Sequence, residues 1–380
     1  MKFQDLHTAE ERIQLMEKLS EAFLSRAGKN DEEGLFPFEN IKELKESGYT
    51  SLTVPRRYGG KEISLSEFLR LQEKIAEGDG STALSIGWHM GIIKSLGEKN
   101  NWDESIFRTL CEEVKKGALM NNCATEPQTG SPTRGGKPVT YARKEGDSWI
   151  INGRKSFTTM APVLDYFNVS ATIEESGEIG NFLIPRSSEG LEIEETWDSI
   201  AMRGTGSHDL LLKNARVKQN ALVELFQPGK KGAAGWLLHI PACYLGIAQA
   251  AQDYAITFAK NYSPNSIIGA IIDLPNVQQK IGEMELELMR ARHFLYSVAN
   301  KWDEANDEAR STMQPELGAV KLAVTNAAIA VVDIAMRVAG ARSLSAKNPL
   351  QRYYRDVRAG LHNPPMDDMT IQALAKKAIK

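Results

Sequence analysis

The chain has 380 residues, of which 42% are hydrophobic and 25% charged, and its formal net charge is -3. This is the composition of a globular protein long enough for two or three domains. The small net charge argues against a basic surface for nucleic acid or for anionic lipid. The three cysteines (Cys111, Cys123 and Cys243) are far apart and lack C-x-x-C spacing. We therefore predict reduced thiols in a cytosolic protein, not a disulfide framework or a zinc site.

The N-terminal segment "MKFQDLHTAEERIQLMEKL" is charged and amphipathic, without the apolar core of a signal peptide. No uninterrupted apolar run approaches the length that spans a membrane. We therefore expect a soluble cytoplasmic protein with no nucleic-acid partner and no membrane insertion.

The first region, residues 1–118, has the pattern of helices. The stretches "IKELKESGY" and "LSEFLRLQEKIAEGDG" repeat apolar residues every three or four positions, and each run ends in glycine. Between them, "SLTVPRRYGG" has the proline and glycines of a loop. We predict an N-terminal α-helical domain over residues 1–118.

The second region, residues 119–224, has the pattern of short strands. The stretch "VTYARKEGDSWIINGRKSFTT" alternates polar and apolar residues around a Glu-Gly-Asp turn and then an Asn-Gly turn. Such turns are typical of consecutive hairpins. Four more short strands follow at close spacing, which indicates a small antiparallel barrel or sandwich.

Long helices return in the third region, residues 225–380. One apolar seam steps by four and three residues from Val277 to Val298, and another does so from Leu317 to Val338. A third, alanine-rich helix surrounds "YLGIAQAAQDYAITFA". These patterns predict antiparallel helices packed as a bundle, with the seam residues forming its core.

Nucleotide and metal motifs are absent from the sequence. No G-x-G-x-x-G or G-x-x-x-x-G-K-[ST] element argues for a Rossmann or P-loop site, and the six histidines are scattered. The most informative block is "CATEPQTGSPTRGGKPVTYARKEGDSWIINGRKSFTTMAP". Its hydroxyls and glycines are suited to binding a polar, planar ligand. Those hydroxyls belong to Thr125, Ser131, Thr158 and Thr159.

This block resembles the acyl-CoA dehydrogenase superfamily, whose members carry a T-E-P-x-x-G-S element followed by an N-G-x-K strand pair. The resemblance extends to "GYTSLTVPRRYGG", "WDSIAMRGTGSHDLLLKNARV" and "PLQRYYRD" in the same order, and so covers essentially the whole chain. It implies an α+β multidomain fold: an N-terminal helical domain (1–118), a middle antiparallel β-barrel domain (119–224) and a C-terminal four-helix bundle (225–380).

The resemblance also implies a flavin, FAD with FMN as an alternative, between the β-domain and the bundle. By this likeness Thr125 contacts the isoalloxazine ring, Thr159 lies near its N5 atom, and Phe157 takes the place of a stacking tryptophan. The residues expected to bind the cofactor are Thr125, Ser131, Phe157, Thr158, Thr159 and Gly340. The residues expected to border the substrate cleft are Arg203, Thr205 and Ser207.

The catalytic base of the superfamily is missing from both of its usual positions. In most members a glutamate follows the R-D element by eight residues, where this chain has Pro364. A minority carry the glutamate early in the first bundle helix, where this chain has Trp236 and Leu237. The dehydrogenation typical of the superfamily therefore needs another base.

The cofactor-binding elements depart from the superfamily as well. The arginine of an R-x-x-F-G element, which binds the flavin pyrophosphate in many members, is replaced by Asn265, and the phenylalanine by Ile268. A G-G pair that supports the dinucleotide half is present only as Gly340-Ala341. Loss of a charge-assisted contact to phosphate leaves FMN as the alternative to FAD.

The segment "RDVRAGLH", from Arg355 to His362, resembles the R-[DN]-x-R-x-x-x-H pattern of two-component flavin monooxygenases. In that branch the histidine stands at the flavin face. A histidine that titrates near neutrality is suited to moving protons in either direction. We predict that His362 is the principal proton-transfer group.

Three functions follow from these observations. The first is an acyl-CoA dehydrogenase whose base is His362, Asp367 or Asp368. The second is a reduced-flavin monooxygenase that uses His362, and the third is a non-catalytic binder of flavin or acyl-CoA. The partners implied are acyl-CoA or another small molecule, an electron-transfer flavoprotein or a flavin reductase, and other copies of the chain in a homotetramer.

Overall fold

The computed structural model describes residues 2–129, 135–226 and 232–379. Within them the order is helices, then strands, then helices, which confirms the predicted architecture. The N-terminal helices are α1 (Ala9–Glu33), α2 (Phe38–Glu46), α3 (Leu65–Gly78), α4 (Gly80–Lys99) and α5 (Glu104–Lys115). The strands are β1 (Met120–Cys123), β2 (Tyr141–Glu145), β3 (Ser148–Thr158), β4 (Tyr166–Ile173), β5 (Ile179–Pro185), β6 (Leu191–Glu194), β7 (His208–Lys218) and β8 (Leu222–Phe226). The remaining helices are α6 (His239–Asn261), α7 (Pro275–Glu304), α8 (Asp307–Ser311), α9 (Gln314–Ala339), α10 (Pro349–Ala359) and α11 (Asp367–Ile379).

Helix α4 is buried along most of its length. Its first turn is capped by Asp79, whose carboxylate accepts hydrogen bonds from the backbone N–H groups of Ser81 and Thr82. The neighbouring helix α3 is capped from the bundle, because Asp303 accepts from the N–H groups of Leu65 (2.7 Å) and Ser66 (2.9 Å). A carboxylate at a helix N-terminus also interacts favourably with the helix dipole. This contact ties the N-terminal helices to the bundle.

The middle domain is an eight-stranded sheet in the order β6-β7-β3-β2-β4-β5-β8, with β1 added beside β4. The predicted turn at Gly146 joins β2 to β3 as a hairpin, with Glu145 opposite Ser148. The pairings of β4 with β1 and with β2 are parallel, which hairpin signals do not predict. Parallel strands are joined by long crossover connections, so no turn motif in the local sequence predicts their pairing.

The second predicted turn, Asn152-Gly153, is wrong. Both residues lie inside the continuous strand β3, which shifts its pairing with β7 between Ile151 and Gly153. Gly153 has φ 154°, and a Cβ atom there would lie 2.3 Å from the Thr140 hydroxyl oxygen. The glycine therefore serves a bulge and a close approach of two backbone segments.

The bundle core follows the predicted seams. On α9 the residues Leu317, Val320, Val324, Val331 and Val338 are buried, whereas Ala327 and Ile334 are partly buried beside the core. On α7 the buried seam runs from Val277 to Val298. Helices α6, α7 and α9 pack against one another, and α10 and α11 each pack against α9.

One helix of the bundle is unusually apolar. In the described part of the chain, the segment Gln314–Leu344 is long and apolar enough to cross a membrane, with a mean hydropathy of 1.7. Of the most apolar stretch of this segment, 44% is buried inside the protein. Because a core helix of a bundle passes the same test, this helix alone is weak evidence for a membrane segment.

Candidate active site

Three hydroxyl side chains meet where the end of β3 approaches the loop before β7. The Thr159 and Ser207 hydroxyl oxygens are 3.0 Å apart, and those of Thr205 and Ser207 are 2.8 Å apart. Backbone hydrogen bonds hold the two segments together, from Met160 N–H to the Thr205 carbonyl and from Ala161 N–H to the Gly206 carbonyl. We call Thr159, Thr205 and Ser207 the hydroxyl cluster. It unites one predicted cofactor residue with two predicted cleft residues.

An exposed aromatic ring stands beside this cluster. Phe157 is 62% exposed, and its backbone lies in the left-handed region at φ 56°. Its ring meets Trp197 edge-on, with centroids 6.1 Å apart. A bulky residue in this backbone region costs on the order of 1–3 kcal/mol, and such strain is commonest at functional sites. An aromatic face kept in solvent is available to stack on a planar ligand.

A buried ion pair holds the T-E-P segment in place. Lys155 donates to Glu126 at 2.6 Å, and both side chains are at most 1% exposed. Glu126 also accepts from the backbone N–H groups of Val139 (2.7 Å) and Thr140 (3.0 Å). Burial opposes ionisation of this carboxyl group, but the hydrogen bonds, above all from Lys155, outweigh it and lower the pKa of Glu126 to about 2.

The ion pair positions the residue predicted to contact the flavin ring. Thr125 precedes Glu126 directly, is half-buried, and accepts a backbone hydrogen bond from Ser156 at 2.9 Å. Neither Glu126 nor Lys155 was among the residues predicted from the sequence to form the site. Both belong to the motifs quoted there, the T-E-P element and the N-G-x-K strand, so the signal that could have found them was present.

The C-terminal R-D element anchors the loop that carries Thr205 and Ser207. Asp356 accepts from the Met202 N–H at 2.6 Å, and burial raises the pKa of its carboxyl group to about 7. Arg355 forms two hydrogen bonds with the Asp31 carboxylate and donates to the Ile200 carbonyl at 2.6 Å. The loop is thus held between α10 and the end of α1.

The remaining predicted residues occupy different surroundings. Arg203 donates to the Asp31 carbonyl at 2.6 Å, so its guanidinium group is engaged by the end of α1. The Thr158 side chain is fully buried beside the Cys123 thiol, and its backbone carbonyl accepts from the Ala161 N–H. Gly340 is exposed at the end of α9 with φ 62°. Ser131 lies outside the described residues.

His362 lies in a short helical turn, Gly360–His362, directly after α10. The turn is held firmly, because a Cβ atom at Gly360 would lie 2.5 Å from Thr325 Cγ2, and Tyr244 donates to the Asn363 side chain at 2.5 Å. The imidazole itself is exposed, and no hydrogen bond joins it to another described residue. Its role in proton transfer stays a prediction.

The residues present suit a flavin. Phe157 offers a free ring face, and the Thr159 hydroxyl is half-buried at the rim of the hydroxyl cluster. Hydroxyl groups can donate to or accept from the polar edge of an isoalloxazine ring. In the described part of the chain, no group of three or more His, Cys, Asp or Glu side chains could hold a metal ion.

Comparisons with known proteins cover the whole architecture. Sequence models of the acyl-CoA dehydrogenase N-terminal, middle and C-terminal domains match residues 10–99, 121–215 and 238–363. The chain is 55% identical over 376 residues to "Putative acyl-CoA dehydrogenase YdbM" of Bacillus subtilis (strain 168), covering 98% of each protein.

Two solved structures show the same fold. Butyryl-CoA dehydrogenase from Megasphaera elsdenii superposes with a TM-score of 0.84 at 19% identity, over 100% of both chains. TdsC from Paenibacillus sp. A11-2, solved with FMN and indole, superposes with a TM-score of 0.84 at 23% identity, over 94% of both chains. The chain therefore belongs to the acyl-CoA dehydrogenase family of flavin-dependent oxidoreductases.

Proposed function

We propose that this protein catalyses the α,β-dehydrogenation of an acyl-CoA thioester. The observation that carries the proposal is the hydroxyl cluster, assembled beside the exposed ring of Phe157. It lies in a chain that matches all three domains of the family. A bound flavin would supply the hydride acceptor for such a reaction.

In this proposal the protein supplies the base that removes the α-proton. Pro364, Trp236 and Leu237 occupy the usual positions of the glutamate, and none of them can accept a proton. His362 would take the α-proton while the β-carbon loses a hydride, so that two electrons leave the substrate and a C=C bond forms. The firm packing of the turn at Gly360 supports this role, because a displaced base loses rate steeply.

A second function, reduced-flavin monooxygenation, is favoured by one specific observation. The R-[DN]-x-R-x-x-x-H pattern ends at His362, and the carboxylate of a dehydrogenase is missing. The structural likeness to TdsC supports only the fold. In this alternative the partner would be a flavin reductase, whereas a dehydrogenase would pass its electrons to an electron-transfer flavoprotein.

We propose FAD as the cofactor, with FMN as the alternative. Asn265 and Ala341 replace residues that support the dinucleotide half in many relatives, and this weakens the choice of FAD. Chromatography of the chromophore released on denaturation identifies which flavin is bound.

We also propose a cytoplasmic homotetramer formed largely by the C-terminal helices. Ile268 is fully exposed in the loop before α7, and Leu286 and Met289 on α7 are nearly half exposed. Large apolar side chains in solvent are typical of surfaces that other subunits cover. Light scattering at micromolar concentration should give the mass of four chains, and a monomeric mass would contradict the proposal.

Anaerobic mixing of the oxidised holoprotein with a panel of acyl-CoA thioesters tests the reaction. A dehydrogenase should lose its oxidised flavin absorbance within the mixing experiment, because two electrons pass from substrate to cofactor. Saturated thioesters of several chain lengths form the panel, and the matching enoyl-CoA products serve as controls that cannot donate electrons. If no thioester bleaches the flavin, while the chemically reduced protein consumes oxygen and hydroxylates an added substrate, the monooxygenase is the correct function.

A further inference from the structure

A second histidine lies buried behind the candidate active site. His239 begins α6 and has no exposed surface. Neither of its ring nitrogens has a hydrogen-bond partner among the described residues. Burial lowers the pKa of this imidazole to about 3, so the ring is neutral at physiological pH.

Aromatic rings enclose His239 on three sides. Trp236 stacks on the imidazole with a centroid distance of 5.9 Å and an angle of 9°, Trp88 meets it edge-on at 5.0 Å, and Phe68 lies at 6.3 Å. We call these three rings with His239 and Gln72 the aromatic box. Trp88 and Trp236 are only half-buried, so two walls of the box reach the protein surface.

Two glycines of α4 make the box possible. A Cβ atom at Gly87 would lie 2.4 Å from His239 Nδ1 and 2.5 Å from Gln72 Nε2, and one at Gly91 would lie 2.5 Å from the Trp236 ring. Each glycine inside a helix costs about 1 kcal/mol relative to alanine. The two glycines therefore weaken α4, but they allow polar atoms and aromatic rings to pack directly against the backbone of this helix.

The polar atoms in the box are poorly satisfied. Gln72 donates to the Ala83 carbonyl at 2.5 Å, but its side-chain oxygen has no partner among the described residues. A buried polar atom without a hydrogen bond costs about 1–3 kcal/mol. The apolar enclosure thus holds two imidazole nitrogens and one amide oxygen that need hydrogen-bond partners. Those partners must be water or a ligand.

The box is connected to the hydroxyl cluster along α4 and β1. Ser81 in the first turn of α4 accepts from the Gly204 N–H at 3.3 Å, next to Thr205. Gly87 is six residues further along the helix, which is about 9 Å at 1.5 Å per residue. On the other side, His89 accepts from the Met120 N–H, and the adjacent Asn121 donates to the Thr159 carbonyl at 2.9 Å.

The geometry points to His239 as a specificity-determining residue that binds a hydroxyl group at the distal end of the acyl chain. This inference rests on the proposed acyl-thioester substrate. A neutral imidazole offers one donor and one acceptor, and Gln72 adds an acceptor, so a hydroxyl group matches the set. A carboxylate does not match this set of groups, because it can only accept hydrogen bonds. It would face the side-chain oxygen of Gln72, which also only accepts. The roughly 9 Å along α4 between Ser81 and Gly87 separates the box from the hydroxyl cluster, so the bound hydroxyl would lie several bonds from carbons that react at that cluster.

Calorimetric titration of the oxidised holoprotein tests the inference. The probes are hexanoyl-CoA, its ω-hydroxy derivative and its ω-carboxy derivative, with the octanoyl series as a second length. In one of the two series the parent protein should bind the ω-hydroxy thioester about tenfold more tightly than the unsubstituted one, the equivalent of one hydrogen bond of about 1.4 kcal/mol. The ω-carboxy thioester should show no such preference.

Two variants identify the residue. His239→Phe keeps a planar ring without nitrogens and should abolish the preference, whereas His239→Gln keeps a donor and an acceptor and should retain part of it. His293→Phe on the exposed face of α7 is the matched control and should leave the preference unchanged. Thermal melts of each variant confirm that it is folded.

Equal affinity of the parent protein for the three thioesters at both lengths, or a preference that persists in His239→Phe, would show that the box holds water only. Failure to bind any of these thioesters would likewise overturn the inference. Failure of the proposed dehydrogenation is a separate result, because it is judged by flavin bleaching. A hydroxyl preference in binding without bleaching would retain the role of His239 and reject the reaction.

Discussion

Replacing His362 with alanine is expected to lower turnover by about two to four orders of magnitude, because general acid–base catalysis contributes that much in many enzymes. Folding and flavin content should stay near those of the parent protein, since the imidazole is exposed and hydrogen-bonds no other described residue. Stopped-flow measurement of flavin reduction, or of product formation by a monooxygenase, gives the rate. Thermal melting and the absorbance ratio of flavin to protein give the two controls.

The same experiment on His293→Ala provides a matched histidine. His293 is also exposed, on α7, and no part of the proposed reaction uses it. Its replacement should leave turnover within about twofold, since surface substitutions away from a site have small effects. Full activity of His362→Ala on the true substrate would reduce His362 to an ordinary loop residue and direct attention to Asp367 and Asp368.

Replacing Lys155 with methionine should destabilise the protein by about 3–5 kcal/mol, because it leaves the buried carboxylate of Glu126 without its counter-ion. Flavin affinity should fall as well, since Glu126 holds the segment that carries Thr125. Urea denaturation and fluorescence titration with flavin measure the two effects. The loss of stability should be largest at neutral pH and shrink in acid, because protonation of Glu126 removes the unpaired charge.

The adjacent residue supplies the control for this prediction. Arg154 pairs with Asp209 and Glu194, but its side chain is 40% exposed, so Arg154→Met should cost less than about 1 kcal/mol. The double variant Lys155→Met/Glu126→Gln should recover part of the stability lost in Lys155→Met. If Lys155→Met and Arg154→Met prove equally mild, the buried pair does not hold the T-E-P segment.

Local patterns in the sequence were sufficient for the architecture. The three- and four-residue spacing along Leu317–Val338 predicted a buried seam, and the structure buries most of it, with Ala327 and Ile334 partly buried. The hairpin at Gly146 was likewise predicted from its turn residues. Both features depend on hydrogen bonds and burial among near neighbours, which sequence spacing reports directly. Motif order also indicated the family, and the absence of a carboxylate at the usual base positions is a fact of the sequence alone.

Only the tertiary structure decided how distant residues meet. The Asn152-Gly153 pair has the composition of a turn, yet pairing with β7 on both sides keeps it within a strand. Glu126 and Lys155 are 29 residues apart in the chain and form one ion pair. The bond from Arg203, a predicted cleft residue, to the Asp31 carbonyl at the end of α1 joins residues 172 positions apart. His239 resembles an ordinary helix residue in sequence. Its lack of a hydrogen-bond partner among the described residues follows from the surrounding rings, which α3, α4 and the turn before α6 contribute. A sequence specifies the chemistry of each side chain. The burial of that side chain and its hydrogen-bond or ion-pair partners depend on contacts between segments far apart in the chain, and local spacing does not encode those contacts.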